Sequence, residues 1–365
     1  MKKFIYSEIN LDKYGSVQNF KQLLKLFNQL LLRTHGDVEE VFKWMETLQE
    51  RGYISQDIDL QDFKDQLDEA SYIENKNGSW NLADKGVQSL RKSSLNSLFK
   101  DFHNGDGKGE HKTHKGVGSS PEELPEKRPY RFGDDLENVD MTGSYWNAMK
   151  RSPLNSQQLE EEDLIIQERE NNTSCATVLL LDVSHSMILY GEDRFTPAKQ
   201  VALALTELIT TRYKKDSLDI VLFGNEAIPV AIKDLPYASV GPFHTNTKAG
   251  LNYARKLLER RKSKIKQIIM VTDGKPTVIH LPSGEIYRNT FGLDPRIINR
   301  TLDEAVICRR RGIDITTFMV TRDPYLEDFV NKLTELNQGK AYFSSPDDLG
   351  GFVLKDFFRR RQSRA

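Results

Sequence analysis

The stretch with the clearest chemistry is residues 178–187, Val-Leu-Leu-Leu-Asp-Val-Ser-His-Ser-Met. A short, uninterrupted apolar run reads as a strand buried on both faces, as at the centre of a parallel sheet. It runs straight into Asp182, Ser184 and Ser186. Side chains two residues apart on an extended backbone point the same way. The spacing therefore predicts one carboxylate and two hydroxyls on one side, just past the strand's C-terminal end. Ligands of open α/β sheets sit at that edge, and oxygen-only donors suit a hard divalent cation such as Mg²⁺ or Mn²⁺. One loop supplies too few donors, so others must reach the same edge. Residues 265–271 form a second apolar strand ending in Thr272-Asp273-Gly274. Between them, His244-Thr245-Asn246-Thr247-Lys248-Ala249-Gly250-Leu251 opens a helical pattern.

Asp-x-Ser-x-Ser, then Thr, then Asp, each after the expected element, resembles the von Willebrand factor A (VWA) domain and its metal-ion-dependent adhesion site. By that resemblance Ser184, Ser186 and Thr245 carry the coordinating hydroxyls, while Asp182 and Asp273 hold the ion directly or through water. Matching Thr-Asn-Thr-x-x-Gly-Leu to the family makes Thr245 the ligand and Thr247 a helix-start residue. Two carboxylates against a doubly charged ion leave little net charge, and an ion of near-octahedral demand keeps an exposed position. In the family's binding mode a partner's Asp or Glu fills it. His185, Asn246 and Lys275 are the candidates for touching that partner.

An enzyme at this site would need a nucleophile, a base and an oxyanion donor. Ser184 or Ser186 is the candidate nucleophile of a metal-dependent hydrolase, with His185 as base. On extended backbone, however, neighbouring side chains face opposite ways, which keeps His185 from both hydroxyls. Neither Gly-x-Ser-x-Gly nor a Gly-x-x-x-x-Gly-Lys-[Ser/Thr] phosphate loop occurs. The expectation is a non-enzymatic protein.

The resemblance narrows further on four stretches: Leu-Leu-Asp-Val-Ser-His-Ser-Met, Thr-Asp-Gly-Lys-Pro-Thr, Gly-Ile-Asp-Ile-Thr-Thr-Phe-Met and Leu-Lys-Asp-Phe-Phe-Arg-Arg-Arg. These are similar to VWA proteins akin to the integrating subunit of magnesium chelatase, which work with MoxR-like AAA+ ATPases. The resemblance implies Mg²⁺ as cofactor, an acidic protein partner and a separate AAA+ ATPase, since these residues contain no AAA+ module.

The elements that must position the loops follow from periodicity. Residues 159–365 alternate strands and helices with short connections, predicting an α/β fold: a doubly wound, mostly parallel, Rossmann-like sheet with helices on both faces. Residues 164–167 read as a strand leading into the first core strand. Thr196-Pro197 reads as a helix start. The roughly twenty residues after Asp273 read as a small hairpin rimming the site. Residues 1–100 read as a small, mainly helical domain. Leu23, Leu24, Phe27, Leu30 and Leu31 make one helical face, and Val41, Trp44, Met45 and Leu48 another. Asn77-Gly78 marks a hairpin. Helices, hairpin, helix is the order of a winged helix, so a DNA-binding regulator is the alternative. Balanced charge and the lack of a Lys/Arg stripe argue against it. Residues 101–127 read as a solvated linker, and 128–158 as a docking segment with returning aromatics.

The totals bound the rest. With 52 Lys and Arg against 53 Asp and Glu, no global field draws in nucleic acid or an anionic membrane. Cys175 and Cys308 show no pairing pattern and read as packing residues in a reducing compartment. The N-terminus lacks the apolar core of a signal peptide, and no run approaches the ~20 apolar residues of a membrane span. The expected location is cytoplasmic.

Overall fold

The computed structural model describes residues 19–104, 127–130, 139–151, 159–167, 174–188, 192–281, 283–289, 291–321, 323–346 and 348–362. The chain divides into two compact units, Met1–Gly107 with Ser174–Arg360, and Lys108–Thr173 with Arg361–Ala365.

The first unit begins with α1 (Phe20–Arg33), α2 (Val38–Glu50) and α3 (Leu60–Glu69). Asn19, Asp37 and Asp59 cap them by accepting N–H groups of the first turn. The hairpin β1 (Ile73–Lys76) and β2 (Ser79–Leu82) turns through Asn77 and Gly78, both at positive φ, and leads into α4 (Asp84–Asn104). The helix therefore takes in the first four residues of the expected linker. Residues 105–126 of that linker lie outside the described residues.

The second unit contains β3 (Lys127–Pro129), α5 (Met141–Arg151) and β4 (Ile165–Gln167). The strand expected to lead into the main sheet instead pairs antiparallel with β3, Ile165 opposite Pro129. Arg151 closes this unit with a fork onto buried Asp163 and a 2.7 Å bond to Glu160. Residues 131–138 and 152–158 of the expected docking segment lie outside the described residues.

The first unit resumes with β5 (Cys175–Asp182), α6 (Phe195–Arg212), β6 (Ser217–Phe223), β7 (Ala227–Val230), α7 (Thr247–Glu259), β8 (Ile265–Thr272), the hairpin β9 (Val278–His280) and β10 (Ile286–Arg288), α8 (Pro295–Arg310), β11 (Ile313–Met319), α9 (Pro324–Asn337), β12 (Lys340–Phe343) and α10 (Leu349–Gln362). Six strands make one sheet, ordered β12-β11-β8-β5-β6-β7 and parallel except for β7. Register sets Asp182 beside Phe223 and Met319 beside Thr272, so the central strands end along one edge. All eight residues of β5 are buried, Thr177 and Asp182 among them, as befits a central strand covered on both faces. Its alternate side chains feed two cores. Leu179 and Leu181 face α6 and α10, while Val178 and Leu180 face α7, α8 and α9.

Helix α6 starts at Phe195, two residues before the Pro197 that a Thr196 cap would make its first. Thr196 is not its cap; the Thr196 N–H donates to Asp193 Oδ1 at 2.9 Å. The helix is apolar all round because it is covered all round. The core on its sheet side continues without a break into the core of α1–α4, and α4 lies along it. Polar groups also join these layers. Arg91 of α4 pairs with buried Glu207 of α6 at 3.3 Å, and the Leu82 N–H donates to the Tyr237 hydroxyl at 3.0 Å. Lys199 of α6 is fully buried, its Nζ 3.1 Å from His35 Nδ1 and 3.2 Å from the carbonyl oxygens of Pro236 and Ala238.

Burial pushes the Lys199 amine down from 10.5 to about 7, against the pull of Asp193. Between those values the unfolded chain holds a proton that the folded chain has released, so stability rises with pH across that window. The burial penalty is full below pH about 7 and fades as pH climbs towards 10.5. Urea midpoints measured at steps of pH across this range should climb for the natural chain, and Lys199→Met should flatten the climb.

Candidate metal centre

Asp182 ends β5 with no exposed surface. Its Oδ1 accepts the Ser184 N–H at 2.9 Å, and its Oδ2 accepts the Thr272 hydroxyl at 2.6 Å. These bonds hold the carboxylate at the seam between β5 and β8. The chain does not stay extended beyond it: residues His185–Ile188 form a 3₁₀ turn. Ser184 and Ser186 therefore share a side because the turn folds them together, their hydroxyls 3.0 Å apart, and not because of strand alternation. His185 is exposed beside them, and among the described residues no hydrogen bond links its ring to either serine.

Asp273 follows β8 and is 3 % exposed. The nearby Ser186 hydroxyl and Lys275 N–H favour its charged form. Gly274, at φ +94°, makes the sharp turn that aims it. Asp273 Oδ1 is buried without a hydrogen-bond partner among the described residues. Burial pushes both Asp182 and Asp273 well above the usual carboxylate range, and the charge of Asp273 pushes Asp182 further.

The third loop is pinned from two sides. The His244 N–H donates to Asn225 Oδ1 at 2.8 Å, and the Asn246 N–H to the Gly224 carbonyl at 2.8 Å. From the hairpin side, the Thr245 N–H donates to Thr277 Oγ1 at 3.0 Å and the Thr277 N–H returns to the Thr245 carbonyl at 2.9 Å. The expected hairpin does rim the site, β9 pairing with β10. Thr245 lines the cleft, while Thr247 is the first residue of α7. Asn246 does not face a partner. It is 1 % exposed, and its side chain caps α7 and donates to the Asn225 carbonyl.

One cleft of about 850 Å³ thus brings together Ser184, Ser186, Thr245 and Asp273, with Asp182 packed behind them, and His185 and Lys275 on its walls. Sequence reasoning missed Arg194, Phe243, His244, Thr277 and Tyr325, which also line it. The expected hairpin pointed towards Thr277; Tyr325 stands in the first turn of α9, and Arg194, Phe243 and His244 come from loops without a periodic signal. Among the described residues no group of three or more His, Cys, Asp and Glu is arranged around a metal. The oxygen set here, two buried carboxylates with hydroxyls and one carboxylate oxygen lacking a partner, fits a hard divalent ion.

A family model described as the vWA domain of Rv0959-like proteins matches residues 175–358. The chain belongs to the Rv0959-like vWA family. A model for the third domain of these proteins matches residues 122–169. The uncharacterized protein Rv0959 of Mycobacterium tuberculosis is 30% identical over 293 residues, 78% of this chain and 43% of its own. The uncharacterized Mb0984 of Mycobacterium bovis matches to the same extent. The chain thus spans less than half the length of these curated relatives. Among solved structures, the vWF domain of the pilus tip protein Mfa5 from Porphyromonas gingivalis aligns at 15% identity and a TM-score of 0.40, over 52% of this chain and 96% of that one. The matched residues carry the six-stranded sheet described above, and the Asp182–Ser186 loop follows its central strand. Among the described residues no helix is long and apolar enough to cross a membrane.

Burial of two carboxylates side by side sets two expectations for Asp273→Asn, one without and one with a divalent ion. In EDTA the variant should be more stable than the natural chain by roughly 1–3 kcal/mol, because a buried charge is gone. Added Mg²⁺ should stabilise the natural chain by about 2.7 kcal/mol at a hundredfold excess over its Kd, and the variant not at all. Urea denaturation in EDTA and in Mg²⁺ reads both effects.

Proposed function

We propose that this chain is a metal-ion-dependent protein-interaction adaptor. Asp182, Ser184, Ser186, Thr245 and Asp273 would hold Mg²⁺, with Mn²⁺ as the substitute ion, and a partner's Asp or Glu would complete the coordination. The observation that carries the reading is the cleft itself, where hydroxyls and carboxylates from three loops converge beside a buried Asp273 oxygen that no group among the described residues satisfies. The sequence similarity to chelatase-subunit-like VWA proteins supports a MoxR-like AAA+ ATPase as the machine it serves, in assembling or remodelling complexes. A location in the cytoplasm belongs to the same proposal.

A hydrolase is disfavoured by the separation of the His185 ring from Ser184 and Ser186 in the hydrogen-bond network. A DNA-binding regulator is disfavoured by α3, the helix that would enter a groove. It exposes Asp62, Asp65, Asp68 and Glu69, which phosphates repel.

Affinity capture with the tagged chain in Mg²⁺ tests the adaptor. A set of proteins should be lost equally to EDTA and to Asp182→Ala, and an AAA+ ATPase should be in that set. Retention of every partner by Asp182→Ala would refute the reading.

A further inference from the structure

Two cations line the cleft, Arg194 and Lys275, together with the imidazoles of His185 and His244. Its acidic groups are Asp273, which faces the ion position, and Asp323, whose Oδ1 caps α9 by accepting the Tyr325 N–H at 2.9 Å. Arg194 is the best-enclosed of the cations, its side chain 11% exposed. Its charge also reaches Asp273, which places it near the ion position. In this structure its Nε and Nη2 both donate to Glu192 Oε2, at 3.2 and 3.0 Å. The Glu192 side chain is 60% exposed. An enclosed guanidinium is thus capped by a carboxylate that remains mostly in water. Such a pair is weakly held, whereas a carboxylate delivered from inside a closed interface binds an arginine fork more strongly.

We propose that Arg194 forms a second acid-binding position beside the metal, covered by Glu192 until a partner arrives, and that the partner is a polypeptide segment carrying two nearby carboxylates, one for the ion and one for Arg194. This deepens the adaptor reading and rests on it. Glu192 marks the chemistry that the position accepts, because it already places a carboxylate on the fork. Phe243 and Tyr325, which stand exposed on the rim, provide apolar surface for the residues flanking the two acids. Glu192 lies two residues before Arg194 and outside any strand or helix, so its release from the guanidinium disturbs neither.

Fluorescence anisotropy with the full chain and short labelled peptides in Mg²⁺ decides the matter. The peptides are glycine–serine segments bearing one Glu, or two Glu that are adjacent or separated by one, two or three glycines. One two-acid spacing should bind roughly tenfold more tightly than the single-acid peptide. Glu192→Gln, on an exposed side chain, should tighten the two-acid peptide by several-fold and leave the single-acid peptide unchanged. Arg194→Gln should bring the two peptides to equal affinity while keeping Mg²⁺ dependence. Equal binding of both peptides by the natural chain, or discrimination that survives Arg194→Gln, would overturn this proposal and leave the adaptor standing. If no peptide shows binding lost to EDTA and to Asp182→Ala, the metal bridge fails and the second position with it.

Discussion

The structure turns on two carboxylates buried at the end of a parallel sheet. Taking Asp182 and Asp273 out of water is unfavourable unless charge or hydrogen bonds offset it. The fold supplies part of the offset through the Ser184 and Lys275 N–H groups and the Thr272 and Ser186 hydroxyls. What remains is one buried Asp273 oxygen without a hydrogen-bond partner among the described residues. The donors around it are all oxygens, which is the chemistry that the proposed ion would meet.

Everything around that pair acts to keep it rigid. The strand edge fixes Asp182, a left-handed glycine fixes Asp273, Thr277 clamps Thr245 by its backbone, and Gly224 and Asn225 clamp its two neighbours. Few of these contacts belong to the ion position itself. The Asn225 and Thr277 side chains hold another loop by its backbone, and without them Thr245 would have no fixed place. Such supporting contacts decide how precisely ligands are presented.

The sheet, its helices and the donor loops were legible in the sequence because each has a local signature. An uninterrupted apolar run marks β5, Asn-Gly marks the hairpin, and glycine after a periodic segment marks the end of α8. The pairing of residues 165–167 with 127–129 was not legible, since a three-residue strand has the same appearance whichever neighbour it meets. The proximity of Ser184 and Ser186 was anticipated through an extended backbone that the chain does not adopt; a tight turn produces the same outcome. Asn246 shows the opposite error, a polar residue beside a functional one whose amide is consumed by capping. Arg194 gave no local sign at all, because its enclosure arises from loops distant in sequence.

Helix α6 has a consequence of its own. It carries leucine, alanine and valine on every side, and the helical bundle at the start of the chain shields the side turned away from the sheet. The bundle is therefore not a detachable accessory. Excised at its apparent borders, the sheet module would turn a greasy helix outward and be prone to clump, so recombination could shuffle these parts only as a joined pair.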